Sequence, residues 1–179
     1  LPGEPASPVV VVTGALAPYT QVLYRALAAA LDRPLTVLAC AAKEPARQWD
    51  LAAADGYGFA VLPGLRWHRD AVRNLYFNPG IVARLAAARP VAVILNDFSP
   101  TMAMAALAAR ALRIPYAIRT DGVPETDPGA RSPAHRLLRR AIVPGAAVGL
   151  APSEGSRTLL GAYGLAPGRV LRAPLFPAW

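Results

Sequence analysis

The chain has 179 residues, 54% of them hydrophobic, with a formal net charge of +8 and a single cysteine. That length suffices for one domain with a substantial core, and the lone Cys40 excludes an intrachain disulfide. The longest uncharged runs, residues 5–24 and 141–153, are interrupted by Pro, Gly, Ser or Thr, so neither reads as a membrane span of about 20 residues.

The opening LPGEPASP carries no basic stretch ahead of its apolar run and does not read as a signal peptide, so a soluble, cytoplasmic chain is expected. Its two histidines, His68 and His135, lack metal-ligand spacing. Lys43 is the only lysine among 19 basic residues. After Asp127 there are seven arginines against Glu154 alone. Such a half can serve nucleic acid, an anionic membrane or phosphorylated ligands, while an arginine bias also follows from a GC-rich genome. No nucleic-acid partner is expected.

In chain order, the β-branched run at 9–12 ends at Thr13-Gly14 and reads as a strand buried on both faces. Pro18 can open a helix, and the pairs Val22/Leu23, Ala26/Leu27 and Ala30/Leu31 recur every four residues as its apolar face. Residues 35–39 read as a second strand, ending near Cys40, expected to be a buried, inert thiol. Residues 59–62 suit a third strand. The segment LRWHRDAVRNLYF at 65–77 mixes aromatics with arginines and is assigned to no element. Asn78-Pro79, Ser99-Pro100 and Ser132-Pro133 each look like a helix cap followed by proline in the first turn. Residues 91–95, 115–118, 147–150 and 170–175 read as strands, and Ser153 as the cap of a last helix. Strand and helix alternate throughout. A single Rossmann-like α/β domain follows, with a parallel sheet and helices on both faces.

Ligands of such sheets bind outside the carboxyl ends of the strands, which singles out the loops after them. The loop TGALAPY has Gly14 and Ala15 but no G-x-G-x-x-G, and neither a phosphate-binding lysine loop nor G-x-S-x-G occurs anywhere. Gly14 serves either as a tight turn or to bring backbone amides to a ligand phosphate. Asp97 can bond loop amides, assist the Ser99 cap or face a ligand. The loop RTDGVPETDPG gathers Arg119, Asp121, Gly122, Glu125 and Asp127. It is either a solvated surface or a place where a carboxylate meets sugar hydroxyls. Arg136, Arg139 and Arg140 lie within two turns of one helix, as a solvated face or as a docking strip for an anionic surface.

From NDFSP through AALAARALRIPYAIRTDG, HRLLRRAIVPG, APSEGSR and YGLAPGRV, and at GALAPYTQVLYRALAAAL, the chain resembles the N-terminal domain of group 1, family 4 glycosyltransferases of GT-B architecture. The resemblance covers nearly all of the chain and is carried by the order of the motifs more than by any one. It implies one half of a two-domain hexosyltransferase of glycan biosynthesis, with residues 1–179 on the acceptor side. The nucleotide-sugar donor then belongs to a C-terminal domain outside this chain, and no cofactor is bound here. Transfer to an acceptor hydroxyl with retention is implied, to a glycan or lipid-linked acceptor, with peripheral contact at the inner membrane face. Asp121 stands at the position where many relatives have His before Gly and becomes the candidate catalytic residue. Gly14, Ala15, Asp97, Arg119, Gly122, Glu125, Ser153 and Glu154 become candidate substrate-binding residues. The alternative is a non-catalytic acceptor- or membrane-docking subunit of a split two-chain enzyme; a nucleotide-binding epimerase or dehydrogenase is more distant.

Overall fold

The computed structural model describes residues 6–43, 55–68 and 74–174. Val9–Thr13 forms β1, Pro18–Ala30 α1, Leu35–Ala39 β2 and Gly58–Val61 β3. Leu65–His68 and Asn74–Phe77 form β4 and β5, followed by α2 (Ile81–Ala88), β6 (Ala92–Asn96), α3 (Pro100–Ala111) and β7 (Tyr116–Arg119). Two short 3₁₀ turns lead to α4 (Pro133–Ile142), β8 (Val148–Ala151), α5 (Glu154–Ala162) and β9 (Val170–Arg172). The end of the expected last strand, residue 175, lies outside the described residues, as do 175–179 of the stretch 169–179 that the resemblance places at the exit from the domain.

Seven strands make one parallel sheet in the order β3-β2-β1-β6-β7-β8-β9. The strand order reverses between β1 and β6. Alternation along β1 shows why four valines in a row are needed: Val10 and Val12 enter the cluster beneath α2, α3 and α4, while Val9 and Val11 enter the cluster beneath α1. The Rossmann-like α/β domain expected from the sequence is present, with helices on both faces.

Two local expectations need correction. The buried side of α1 is Tyr24 with Leu23, Leu27, Ala28 and Leu31, while Val22, Ala26 and Ala30 face outward. The aromatic ring at Tyr24 fills more of the core than Val22 can, and it sets the rotation of the helix. Asn78 does not cap α2, which starts from Gly80 without a side-chain cap. Asn78 is buried, and its Nδ2 donates to the Cys40 carbonyl (3.1 Å) and the Leu62 carbonyl (2.9 Å). Satisfying these two buried acceptors outweighs a surface cap. Ser99, Ser132 and Ser153 do cap their helices as expected.

The unplaced segment holds an antiparallel pair, β4 with β5. Its inner face carries Tyr76, whose carbonyl accepts from the Thr101 hydroxyl on α3 at 2.9 Å.

Candidate functional site

Parallel register brings the expected loops to one edge. Val12 lies beside Leu95, Asn96 beside Arg119 and Arg119 beside Leu150, so the chain leaves β1, β6, β7 and β8 on the same side. The turn at Gly14 and the segment from Arg119 therefore share an edge, two strand spacings apart, about 10 Å.

The first wall is the turn after β1. A Cβ on Gly14 would stand 3.0 Å from the Tyr76 ring, so the hairpin seats directly on this turn. The start of α1 is closed by Thr20, whose Oγ1 accepts from the Ala17 amide (3.0 Å) and donates to the Ala17 carbonyl (2.8 Å).

The second wall is built on Thr120, buried at the end of β7. Its hydroxyl donates to Asp97 Oδ1 (2.8 Å) and accepts from the Gly122 amide (3.1 Å). One hydroxyl thus ties the loop after β6 to the loop after β7. Asp97 adopts φ 65°, the left-handed region, which Asp tolerates better than most residues. The residue is open to solvent, yet its carboxyl stands among crowding protein atoms. That desolvation, and next the negative charge of Asp121, raises its pKa above the ordinary carboxylate value, against the pull of Thr120, Arg119 and Arg139. Two acids far apart in sequence therefore act on each other at the crevice.

Beneath the crevice, Asn96 Nδ2 donates to the Tyr24 hydroxyl at 2.6 Å. Burial raises the Tyr24 pKa, partly offset by Thr13, Arg119 and Asn96, so the phenol is neutral. The half-buried Arg119 acts electrostatically on both Tyr24 and Asp97. Among the described residues it forms no ion pair and no side-chain hydrogen bond.

Gly14, Ala15, Asp97, Arg119, Asp121 and Gly122 thus gather at the strand-order reversal. Glu125 is exposed in the 3₁₀ turn Pro124–Thr126 beyond them. Ser153 and Glu154 follow β8 on the same edge, further along it. Ser153 Oγ accepts from the Ser156 amide (3.1 Å), and with Pro152, Glu154, Arg157, Leu171 and Arg172 it borders an open cleft of about 250 Å³ beyond β8 and β9. Val123 lies against Gly155 between the two places.

The arginine strip on α4 also needs correction. Arg139 is only 6% exposed, with Nε 2.9 Å from Asp127 Oδ1 and its guanidinium 4.4 Å from the centre of the Phe98 ring. The Tyr163 hydroxyl donates to Asp127 Oδ2. Arg136 donates to the Gly129 carbonyl (3.0 Å) and the Ala130 carbonyl (3.2 Å). Arg136 and Arg140 are exposed but Arg139 is buried, so the three do not form a common cationic face. Sequence reasoning missed this brace, and also Thr120 and Tyr76. Arg139 precedes the buried Ile142 by three residues, and that shared face was the available signal.

Burial pushes the Cys40 thiol up to about 12. Among the described residues no cluster of metal-ligating side chains occurs and no helix is long and apolar enough to cross a membrane.

Comparison with solved structures shows the same fold at low identity. The UDP-N-acetylglucosamine 2-epimerase of Rickettsia bellii matches with a TM-score of 0.60 at 15% identity, over 94% of this chain and 44% of that one. The Methanocaldococcus jannaschii UDP-GlcNAc 2-epimerase matches at 0.54 and 13%, over 92% and 45%. Anabaena HepE, solved with UDP-glucose, matches at 0.61 and 12%, over 93% and 43%. The chain spans less than half the length of these structures. No curated protein matches it in sequence. A family model does: residues 14–175 match the glycosyl transferase 4-like domain, and the chain belongs to that family.

Proposed function

We propose that this chain supplies the acceptor side of a sugar-transfer cleft, with the nucleotide-sugar donor held by a separate domain facing the carboxyl edge of the sheet. The observation that carries this is the gathering of Arg119, which has no ion pair among the described residues, with Asp97 and Asp121 at the strand-order reversal, where open α/β sheets bind ligands. Family membership supports transfer chemistry. Fold neighbours described as acting on, or solved with, UDP-sugars support a nucleotide-sugar donor.

In this reading the acceptor is a glycan or a lipid-linked glycan on the cytoplasmic side. The acceptor hydroxyl attacks the anomeric carbon as the sugar–phosphate bond breaks through an oxocarbenium-like state, with retention. Its proton leaves to a carboxylate at the crevice or to the departing diphosphate. Asp121 is the residue assigned to the transferring hydroxyl. Asp97, with its pKa raised, can hold or pass that proton. Arg119 offsets negative charge on the phosphate or acceptor. Positioning accounts for much of the rate that such a site can give.

The donor side stands outside this chain, so the purified 179 residues alone have no transferase turnover. Incubation with radiolabelled UDP-glucose or UDP-N-acetylglucosamine and an oligosaccharide panel tests this; robust transfer by the chain alone refutes it. Titration calorimetry separates the epimerase and dehydrogenase readings, since tight binding of NAD or of a nucleotide-sugar to the chain alone contradicts an acceptor-side role.

A further inference from the structure

At Thr120 the parallel ladder gives out. The Asp97 amide donates to the Arg119 carbonyl at 2.8 Å and the Thr120 amide to the Leu150 carbonyl at 3.3 Å. Beyond that point, among the described residues, Asp121 and Gly122 make one hydrogen bond, from the Gly122 amide to Thr120 Oγ1. A Cβ on Gly122 would stand 3.2 Å from that oxygen and 3.2 Å from Leu159 Cδ2, so the backbone is pressed onto the hydroxyl.

Chemistry fixes the direction of both bonds. An amide can only donate, so Thr120 Oγ1 accepts from Gly122 and its own proton goes to Asp97 Oδ1, 2.8 Å away. Thr120 is 2% exposed, so bulk water does not compete for the hydroxyl. Hydrogen bonds in series polarise one another. A hydroxyl that gives its proton to a carboxylate is a better acceptor for the amide behind it than one that gives it to a neutral acid. The state of Asp97 is therefore felt at Gly122. The charged groups that act on this carboxyl are Asp121 from the loop after β7, Arg119 from β7 and Arg139 from α4.

We propose that Thr120 is a positioning residue that carries the ionisation of Asp97 to the Asp121-Gly122 backbone, tightening it when Asp97 is charged and slackening it when Asp97 takes a proton. The use of this relay rests on the sugar-transfer reading. There it keeps Asp121 before the acceptor hydroxyl while Asp97 is ionised, and lets the loop yield once Asp97 is protonated.

A pH titration of the ¹³C,¹⁵N-labelled chain, following the Asp97 carboxyl carbon and the Gly122 amide proton, tests the relay. In wild type the Gly122 amide moves downfield as Asp97 ionises, with the same midpoint. Thr120→Val abolishes that movement, sends the Asp97 titration to higher pH because a bond favouring the charged form is gone, and speeds Gly122 amide exchange about fivefold. Thr120→Ser restores all three, which a packing role for the threonine methyl would not. Asp97→Asn leaves Gly122 at its acid-form position at every pH, and carries the test if the valine variant does not fold. Asp121→Asn lowers the Asp97 midpoint, since a neighbouring negative charge is removed, and the Gly122 midpoint falls with it. The proposal is overturned if Gly122 does not follow Asp97, if its pH dependence survives Asp97→Asn or vanishes in Asp121→Asn, or if serine fails to rescue. No arm uses an acceptor or a donor sugar, so the relay and the sugar-transfer reading stand or fall separately.

Discussion

Replacing Arg139 by methionine removes the cation and keeps most of the stem volume. Asp127, 8% exposed, is then left, among the described residues, with the Tyr163 hydroxyl as its side-chain partner. Breaking a buried pair from one side costs about 3–5 kcal/mol, because the stranded charge stays out of water. The geometry argues for the lower end: Nε and Oδ1 are 2.9 Å apart, but the N–H is not aligned on the oxygen, so charge and not a hydrogen bond holds them. Loss of the stacking on Phe98 adds about 1 kcal/mol, and loss of the bond from Nη1 to the His135 carbonyl at 3.2 Å acts in the same direction. A total near 4 kcal/mol lowers the melting midpoint by roughly 10 °C for a domain of this size. Urea unfolding followed by circular dichroism, with the denaturant slope compared between variants, reads it out. Adding Asp127→Leu to Arg139→Met recovers much of the loss, since no charge is then stranded. A cost below about 1 kcal/mol for Arg139→Met, or a double variant as unstable as the summed singles, refutes the brace.

Cys40 resists iodoacetamide at pH 8 in the native chain and reacts only as fast as global unfolding permits, because its thiol is pushed up to about 12; rapid native labelling contradicts its burial. Asp97→Asn stabilises the chain at neutral pH. A raised folded pKa means the native state binds the extra proton, so Asp97 costs stability as pH rises through that pKa. The gain from the substitution is present above the folded pKa and vanishes below the unfolded one. Because the residue is open to solvent it stays under about 1 kcal/mol, and melts at several pH values measure it. Gly149→Ala puts a Cβ 2.6 Å from Leu165 Cδ2 and 2.7 Å from Leu160 Cδ1. Overpacking there costs about 1–3 kcal/mol; an unchanged urea midpoint refutes it.

Much of the fold was legible because β-branched runs and capped helices state their period locally. The run VVVVT and the segment LTVLA read directly as buried strands, and Ser99, Ser132 and Ser153 as caps. What escaped was set by distant partners. Asn78 looks like a cap until Cys40 and Leu62 bring their carbonyls to it. Arg139 looks solvated until Asp127, Phe98 and Tyr163 close around it from three other places in the sequence. The hairpin was hard to place because its strands are only four residues long and the apolar side of their alternation, Leu65, Trp67, Leu75 and Phe77, faces outward. At the crevice, Asp97, Arg119 and Asp121 were legible as residues trailing strands. Thr120 was not, since its role lies in joining two loops.

The most direct measurement is a ¹⁵N amide shift titration of the chain with neutral and phosphorylated oligosaccharide acceptors. The account predicts shifts centred on Gly14, Asp97, Arg119, Thr120 and Asp121 that disappear in Arg119→Ala while its spectrum stays folded. Shifts confined to the Ser153–Arg172 cleft, or to the amino edge of the sheet, would contradict it.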